Sequence, residues 1–367
     1  MNGHVIDRRA FLAGAGYAFL SALAPRGAEA AMTGDALIAS ACRFADGAYG
    51  AVLLNERGET VTRVDLPARG HDVAVHPDGG LFVAFARRPG NFALAFHPAG
   101  GVEPVAFHAP EGRHFFGHGA FSRNGRLLYA TENDYETASG VVGVYDAGSR
   151  FRRIGEFDSH GTGPHEILLL PDGRTLAVCN GGIETHPDFG RAKLNIDRMK
   201  PSLVFIDAAT GRLIERHEPP AALHQLSIRH MAAAPDGRVL FGCQYEGPAT
   251  DLPPLWGTAA PGETMRLFER PAGEVAAFRN YVGSVALSAD GSTLALSSPR
   301  GNLVAWASPA DGRILKSETL HDGCGIAFLD AGLVSSSGDG TFHRGSLDRT
   351  CGFAFDNHLA VAAPRTG

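Results

Sequence analysis

Residues 161–178, GTGPHEILLLPDGRTLAV, contain the pattern that decides the fold of this chain. His165 opens a short apolar run, Pro-Asp-Gly interrupts it, and a second apolar run follows. Two apolar runs around an Asp-Gly turn predict a β-hairpin. The arrangement recurs as HDVAVHPDGGLFVAFA from His71, HGAFSRNGRLLYAT from His118, HMAAAPDGRVLFG from His230, SVALSADGSTLALS from Ser284 and CGIAFLDAGLVSSS from Cys324.

Most of these hairpins are followed by a third and a fourth run, such as SLVFIDAATG and RLIERHEPP. Four strands per repeat are typical of a β-propeller blade. The segment NHLAVA near the C-terminus resembles a first strand without a hairpin partner, and the runs ALIASAC, YGAVLLNERG and TVTRVDL lack a first strand. We therefore predict an all-β, seven-bladed propeller over residues 31–367, closed by a C-terminal innermost strand beside N-terminal strands. Such closure also removes an open sheet edge.

The charge and cysteine content exclude several classes of function. The 367 residues include 33 basic and 39 acidic side chains, for a net charge of -6, so no basic surface for nucleic acid is indicated. The 5 cysteines form no C-x-x-C-H sequence, which excludes covalent c-type haem. We expect a monomer with most thiols buried in strands.

The N-terminus, residues 1–30, has the features of a twin-arginine signal peptide. Arg8-Arg9 precedes an uncharged run, and Ala28-Glu29-Ala30 forms an A-x-A cleavage pattern. No later run is long enough to span a bilayer without charges. We expect export to the periplasm and no membrane association of the mature protein. The alternative is an uncleaved anchor helix.

The first position of each inner strand is a candidate metal ligand, because inner strands line the central channel of a propeller. These seven positions hold His71, His118, His165, His230, Ser284, Cys324 and His358. Neutral imidazole is a common ligand of iron, copper and zinc, so the histidines predict a transition-metal site, with iron or copper expected and with Glu166 and Cys324 as additional candidate ligands.

A structural role for these histidines is the open alternative. WD-type propellers place a Gly-His dipeptide at the same position, and Gly70-His71 and Gly117-His118 match it. The repeat also slips by one residue. His71 and His165 lie seven residues before the turn aspartate, whereas His118 and His230 lie six residues before the turn Asn or Asp. The five imidazoles therefore need not all point inward.

The loops between second and third strands carry unusually many polar residues, and they open on the same face as the ring positions. The segment between residues 180 and 202 exceeds ordinary hairpin loops and predicts a lid or binding loop. Arg87, Arg88 and Arg113 would attract an anionic chelate. The full set of candidate ligand-binding residues is Arg87, Arg88, Arg113, Glu132, Asn133, Asp134, His186, Arg191, Gln244, Tyr245 and Arg300.

Several stretches resemble a bacterial family known as domain of unknown function 1513: GRHFFGHGAFS, LYATENDYE, SHGTGPHE, NGGIETHPDFGRAKLNIDRMKPSL, LHQLSIRHMA and FDNHL. The resemblance spans the mature chain, although Phe355 stands where a typical member has tryptophan. It implies an exported, seven-bladed propeller similar to YVTN-type and quinoprotein-like propellers. It further implies a role near iron or haem uptake, with imelysin-like proteins as periplasmic partners.

Two main hypotheses follow, and no catalytic residue is assigned in either. The first is a periplasmic protein that binds a transition metal or an iron complex and assists iron acquisition. The second is an enzyme, either a metal-dependent oxidoreductase or a lactonase-like hydrolase. A protein-interaction scaffold is a third alternative. The sequence contains no G-x-S-x-G, H-E-x-x-H, P-loop or EF-hand pattern.

Overall fold

Seven antiparallel sheets arranged in a ring make up the computed structural model of the chain, which describes residues 36–98, 101–330 and 332–362. This confirms the predicted seven-bladed propeller. The expected signal peptide, residues 1–30, lies outside the described residues. None of the helices in the described ranges is long and apolar enough to cross a membrane.

The strands follow the repeat pattern closely. Blade 1 begins with β1 (Leu37–Phe44), β2 (Tyr49–Leu54) and β3 (Thr60–Leu66). Blade 2 contains β4 (Gly70–Val75), β5 (Phe82–Ala86), β6 (Phe92–Phe96) and β7 (Val105–His108). Blade 3 contains β8 (Arg113–Phe121), β9 (Leu127–Asp134), β10 (Ser139–Asp146) and β11 (Arg152–Asp158). Blade 4 contains β12 (Pro164–Leu169), β13 (Thr175–Asn180), β14 (Ser202–Asp207) and β15 (Leu213–His217).

The remaining blades complete the ring. Blade 5 contains β16 (Leu226–Ala233), β17 (Val239–Tyr245), β18 (Trp256–Ala259) and β19 (Arg266–Leu267). Blade 6 contains β20 (Ser284–Leu287), β21 (Leu294–Ser298), β22 (Leu303–Ala307) and β23 (Ile314–Thr319). Blade 7 contains β24 (Gly323–Leu329), β25 (Gly332–Ser337), β26 (Thr341–Arg344) and β27 (Leu347–Thr350). Finally, β28 (Phe353–Phe355) and β29 (Ala360–Ala362) both pair with β1 and close the ring.

Helical structure is confined to short connections. Among the described residues there is one α-helix, α1 (Ala272–Ala277), which precedes blade 6. The 3-10 turns in the described ranges are Ala147–Ser149, Pro187–Phe189, Ile196–Arg198 and Ala221–Leu223. Two of these turns lie in the long loop after β13, which is thereby folded rather than extended.

The core lies between neighbouring blades, because the middle strands are covered on both faces. All residues of β5 and β13 are buried, whereas β11 alternates between exposed and partly buried side chains at the rim. Between blades 2 and 3, the rings of Phe85 and Phe115 meet edge to face with centroids 5.4 Å apart. Burying such a side chain fully contributes about 1.5–3 kcal/mol relative to leaving it exposed. This packing fixes the blades around a channel lined by β4, β8, β12, β16, β20, β24 and the segment from β28 to β29.

Candidate metal centre

Register shifts interrupt the inner strands where the predicted histidines lie. β4, β8, β12 and β16 each change their pairing with the next strand at or beside the histidine. In β4, for example, the shift lies between Gly70 and Val73, so His71 and Asp72 fall between paired residues. Such irregularities change the direction in which side chains point. They also absorb the one-residue slip between His71 and His118, so both imidazoles reach the channel.

All five ring histidines converge in the channel and form what we call the five-histidine cluster. Neighbouring ring centroids lie 4.6 to 5.8 Å apart, with the closest approach between His118 and His165. The members, each at most 7% exposed, are His71, His118, His165, His230 and His358. The sequence left open whether all five point inward, and in the structure they do.

Two overlapping triads within the cluster offer nitrogen atoms that lie within 4.8 Å of one another. The first triad is His71, His118 and His165, and the second is His118, His230 and His358. Metal–imidazole bonds are about 2.1 Å long, so two nitrogens on opposite sides of one ion are about 4.2 Å apart. Small side-chain rotations therefore bring either triad to bonding distance.

Carboxylates orient two of the imidazoles from outside the cluster. His118 Nδ1 lies 3.0 Å from Asp72 Oδ2, and His230 Nδ1 lies 3.1 Å from Glu166 Oε2. In each case the acid belongs to the preceding blade. A carboxylate on one ring nitrogen fixes the tautomer and leaves the other nitrogen as a ligand, which is the usual outer layer of histidine metal sites. His71 Nδ1 lies 3.8 Å from Asp356 Oδ1, which is beyond hydrogen-bond distance.

Several imidazole nitrogens that are buried in the cluster have no hydrogen-bond partner. These are Nε2 of His118, Nδ1 of His165 and Nε2 of His358. A buried polar atom without a partner costs about 1–3 kcal/mol, so such atoms require an ion or a water molecule as partner. A purely structural role, in which every imidazole bonds to protein, does not account for them.

Four of the cluster imidazoles are held in the neutral form that a metal ion needs. Burial lowers the pKa of these four well below the usual value, and the charges of neighbouring imidazoles and arginines lower it further. The four are His71, His165, His230 and His358. At neutral pH each of the four is therefore uncharged, with one ring nitrogen protonated and the other carrying a lone pair.

Contacts with the surrounding strands restrict the positions of the cluster histidines. Thr131 Oγ1 donates to the carbonyl oxygens of His118 and His165, at 3.2 and 2.9 Å, and ties two inner strands together. Gly117 has a φ of +105°, and a Cβ there would lie 2.4 Å from Cδ2 of His71. Only glycine fits this contact, because both the backbone conformation and the imidazole exclude a side chain.

Two further predicted ligands lie beside the cluster rather than in either triad. Glu166 accepts hydrogen bonds from His230 Nδ1 and from the backbone N–H of Met231, and burial raises its pKa to about 8. Cys324 donates its S–H to the carbonyl of Asp356 over 3.2 Å, and burial raises the pKa of this thiol to about 12. None of the five cysteines forms a disulfide.

A cavity of about 250 Å³ opens directly on the cluster. His71, His165 and His230 form part of its wall. Five of the predicted ligand-binding residues line it, namely Arg87, Arg88, Arg191, Gln244 and Arg300. Arg191 comes from the long loop after β13, so this loop forms part of the cavity wall.

The other predicted ligand-binding residues lie away from the cavity lining. Arg113, Glu132 and Asp134 belong to a network on blade 3, described below as the blade-3 network, together with Arg153 and Glu156. The remaining three make local contacts. Asn133 Nδ2 donates to the carbonyl of Thr185, His186 packs against Tyr135, and Tyr245 Oη donates to Asp251.

Sequence reasoning did not select three residues that matter at this site: Asp72, Arg229 and Asp356. A signal for the first was present, since His71-Asp72 and His165-Glu166 are matching His-acid dipeptides on alternate blades. Arg229 immediately precedes a ring histidine, and the register shift in β16 lets it reach the cavity beside His230. Asp356 is separated by one residue from His358.

The fold is shared with proteins of very different sequence. A Kuenenia stuttgartiensis hydrazine synthase chain matches with a TM-score of 0.62 and 15% identity, over 84% of this chain and 95% of that chain. The Myceliophteria thermophila Cps50 (Swd1) β-propeller domain matches with a TM-score of 0.57 and 13% identity, over 81% of this chain and 92% of that chain. At such identities these matches show the fold alone.

No curated protein matches the sequence. A family model, by contrast, matches residues 64–362, which include all seven inner strands and the whole five-histidine cluster. The chain therefore belongs to the family described as protein of unknown function (DUF1513).

Proposed function

We propose that this protein binds a transition-metal ion at the five-histidine cluster. The observation that carries the proposal is the convergence of five buried imidazoles with ligand nitrogens left without protein partners. Imidazole nitrogens favour iron, copper, nickel and zinc, and we expect iron or copper. The carboxylate of Asp72 would offset part of the ion's charge, and Asp72 and Glu166 together would hold the rings of His118 and His230 in place.

The direct test is elemental analysis by plasma mass spectrometry on untagged protein, after dialysis without chelator. We expect at least one equivalent of iron, copper or zinc. The variant with His118→Ala, His230→Ala and His358→Ala should lose this metal. The matched control replaces three histidines outside the cluster, His186, His321 and His343, and should retain it. Equal metal content in both variants would refute the proposal.

A second test changes the acidic side chains that contact the imidazoles and keeps all five histidines. Asp72→Asn and Glu166→Gln preserve size but weaken the orientation of His118 and His230. Replacement of such outer partners typically lowers metal affinity by about 10–100-fold. Asp134→Asn, on blade 3, is the control and should leave affinity unchanged. Circular dichroism on every variant separates loss of metal from loss of fold.

A metal-dependent enzyme is a second candidate, favoured by the cavity that opens on His71, His165 and His230. A substrate in the cavity would lie next to the cluster. Turnover of a lactone or peroxide panel by the metal-loaded protein, lost in the triple histidine variant, would support an oxidoreductase or hydrolase. Retained metal without turnover would favour a binding protein, and absence of metal would favour a scaffold.

The proposed setting is the periplasm, reached by the twin-arginine route, with imelysin-like iron-uptake proteins as partners. Support comes from residues 1–30 and from the family resemblance described above. Fractionation of cells that express the full chain should recover the protein with periplasmic markers, and Arg8→Lys with Arg9→Lys should retain it in the cytoplasm.

A further inference from the structure

The cavity above the cluster carries an unusual concentration of positive charge. We call this space the cationic chamber. Its positive side chains come from the loop after β5, the long loop after β13, strand β16 and the loop after β21. They are Arg87, Arg88, Arg191, Lys193, Arg229 and Arg300. The chain as a whole has a net charge of -6, so this positive charge is a local feature.

Only two carboxylates offset these six cations. Asp356 accepts from Arg87 at 2.8 Å, and Glu246 pairs with Lys193. The excess is therefore four positive charges within a cavity of about 250 Å³. Arg300 lies over the ring of Tyr281, with 4.4 Å between its Cζ and the ring centroid.

Like Arg300, the three remaining cations have no carboxylate partner. Within the described ranges, Arg88, Arg191 and Arg229 form no ion pair. Arg229 is only 8% exposed, and its buried Nε has no hydrogen-bond partner. A buried charge is normally paired, because leaving water without compensation is expensive. An anion that enters the chamber would supply the missing partner.

The electrostatics of these arginines agree with this geometry. Burial lowers the pKa of Arg88 to about 9, and the charges of Arg229, Arg191 and Arg87 contribute to the shift. Burial likewise lowers the pKa of Arg229, and burial together with neighbouring arginines lowers that of Arg191. The guanidinium groups thus repel one another in the ligand-free protein.

The size of the chamber limits what can bind. Pockets for drug-sized molecules are about 300–1,000 Å³, so this chamber fits a smaller ligand. A nucleic acid or a membrane surface is too large to enter a space of this size. Guanidinium groups pair with carboxylate and phosphate oxygens through two parallel hydrogen bonds. The ligand chemistry that matches both constraints is a small oxyanion of multiple charge.

We propose that the cationic chamber is a binding site for a small oxyanion with at least two negative charges, whose carboxylate or phosphate oxygens accept hydrogen bonds from Arg88, Arg191 and Arg229. The anion site itself requires no metal. That a bound anion also places oxygen atoms beside a metal held by the histidines rests on the proposed function above, because His71, His165 and His230 line the same cavity.

Isothermal titration calorimetry on metal-free, full-length mature protein tests the anion site. The metal is removed with phenanthroline, which is uncharged, followed by dialysis. The probes are tricarballylate, pyrophosphate and acetate. We expect one equivalent of tricarballylate or pyrophosphate to bind, with affinity that falls as salt rises. The tighter of the two identifies carboxylate or phosphate as the preferred group, and acetate should bind far more weakly.

Variants assign the binding to the chamber. Arg191→Ala, on the loop, and Arg229→Leu, in β16, should each weaken the better probe by about tenfold or more, since each removes charge-assisted hydrogen bonds. Arg212→Leu, at an exposed turn between β14 and β15, is the control and should bind normally. Arg191 is exposed, so its variant remains informative even if Arg229→Leu fails to fold.

The proposal is overturned if neither polyanion binds at millimolar concentration, if acetate binds as tightly, or if Arg212→Leu weakens binding as much as the chamber variants. Metal content of the same preparations before phenanthroline treatment is measured in parallel. Metal without anion binding would refute only the chamber, and anion binding without metal would refute only the metal site.

Discussion

The cationic chamber and the blade-3 network contain the same residue types but balance them differently. In the network, Arg113 and Arg153 meet three carboxylates: Arg153 lies 2.9 Å from Glu132, and Arg113 lies 2.5 Å from Glu156. Tyr145 Oη donates a 2.6 Å hydrogen bond to the same Glu132. The chamber instead leaves four arginines, Arg88, Arg191, Arg229 and Arg300, without carboxylates. Charges that are balanced within the protein hold a blade together, whereas unbalanced charges mark a site that needs a ligand.

The largest expected difference concerns acid. Four cluster histidines have a pKa that burial lowers in the folded state, whereas the unfolded value is near 6.5. Below pH about 6.5 the unfolded chain therefore binds more protons, and stability falls with pH by up to about 1.4 kcal/mol per pH unit for each histidine. The blade-3 network behaves differently, because hydrogen bonds from Arg113 lower the pKa of Glu156 to about 2 and keep it charged.

Urea unfolding of metal-free protein between pH 7 and pH 4.5 measures this effect. We expect a steep loss of stability over that range, and a shallower one in His165→Leu, which removes one neutral imidazole. A pH-independent stability, or the same slope in His165→Leu, would show that the cluster does not control acid sensitivity.

The second prediction concerns removal of a carboxylate from the blade-3 network. Glu132 is 0% exposed and accepts from Arg153 and Tyr145, so Glu132→Gln removes a buried negative charge and leaves Glu156 as the carboxylate that still pairs with Arg153. Removal of one partner of a buried ion pair costs about 3–5 kcal/mol, and we expect about 3 kcal/mol here. Metal and anion binding should not change.

Urea denaturation measures the loss, and Asp134→Asn in the same network is the control. Asp134 lies 3.6 Å from Arg113 at an accessible edge, so its replacement should cost less than about 1 kcal/mol. Loss of anion affinity in Glu132→Gln would mean that the two regions are coupled.

The third prediction disturbs the cluster without changing any ligand. Gly117→Ala places a methyl group where His71 packs, at a φ of +105°, and we expect a loss of about 1–3 kcal/mol together with weaker metal binding. Gly112→Ala is the matched control, because Gly112 has a φ of +79° but no atom within 4 Å of an added Cβ. Thermal unfolding measures the stability of the Gly117→Ala and Gly112→Ala variants, and metal titration measures their metal affinity. Equal effects in both variants would assign the loss to backbone strain alone.

The smallest expected effect has the opposite sign. Arg229→Leu removes a buried charge that has no ion pair, so it should stabilise the ligand-free protein by about 1 kcal/mol while it weakens anion binding. Chemical denaturation in a buffer without phosphate or carboxylate measures this, with Arg212→Leu as control. Destabilisation of Arg229→Leu would show that the arginine supports the fold.

The propeller was predictable because its signal is repeated. A single hairpin does not identify the fold, but six copies of the hairpin indicate a propeller. The unpaired strand near the C-terminus and the strands near the N-terminus that lack a first strand together predict one shared blade. The five-histidine cluster was predictable as a set of positions for the same reason. The slip between His71 and His118 could not be interpreted from the sequence, because it depends on register shifts that arise when inner strands crowd around a channel.

The division of the charged loops into two regions was not predictable. Arg88 and Arg113 both lie on polar segments at the same face, and nothing in their spacing distinguishes them. The two regions differ in which side chains the fold brings close to each arginine. Gly143 on β10 leaves room for Glu132 to meet Arg153 across the blade, whereas Arg88 forms no ion pair within the described ranges. Arg229 was missed because alternation in a regular strand would direct it away from the side that His230 faces.

The position of His358 has a consequence for assembly of the molecule. This histidine follows blade 7 and lies between β28 and β29, the strands that pair with β1. The triad of His118, His230 and His358 is therefore incomplete until the ring has closed. An ion held by this triad would join the first blade to blades 3 and 5 and would oppose separation of the two chain ends. Metal occupancy would then report that synthesis and folding have been completed.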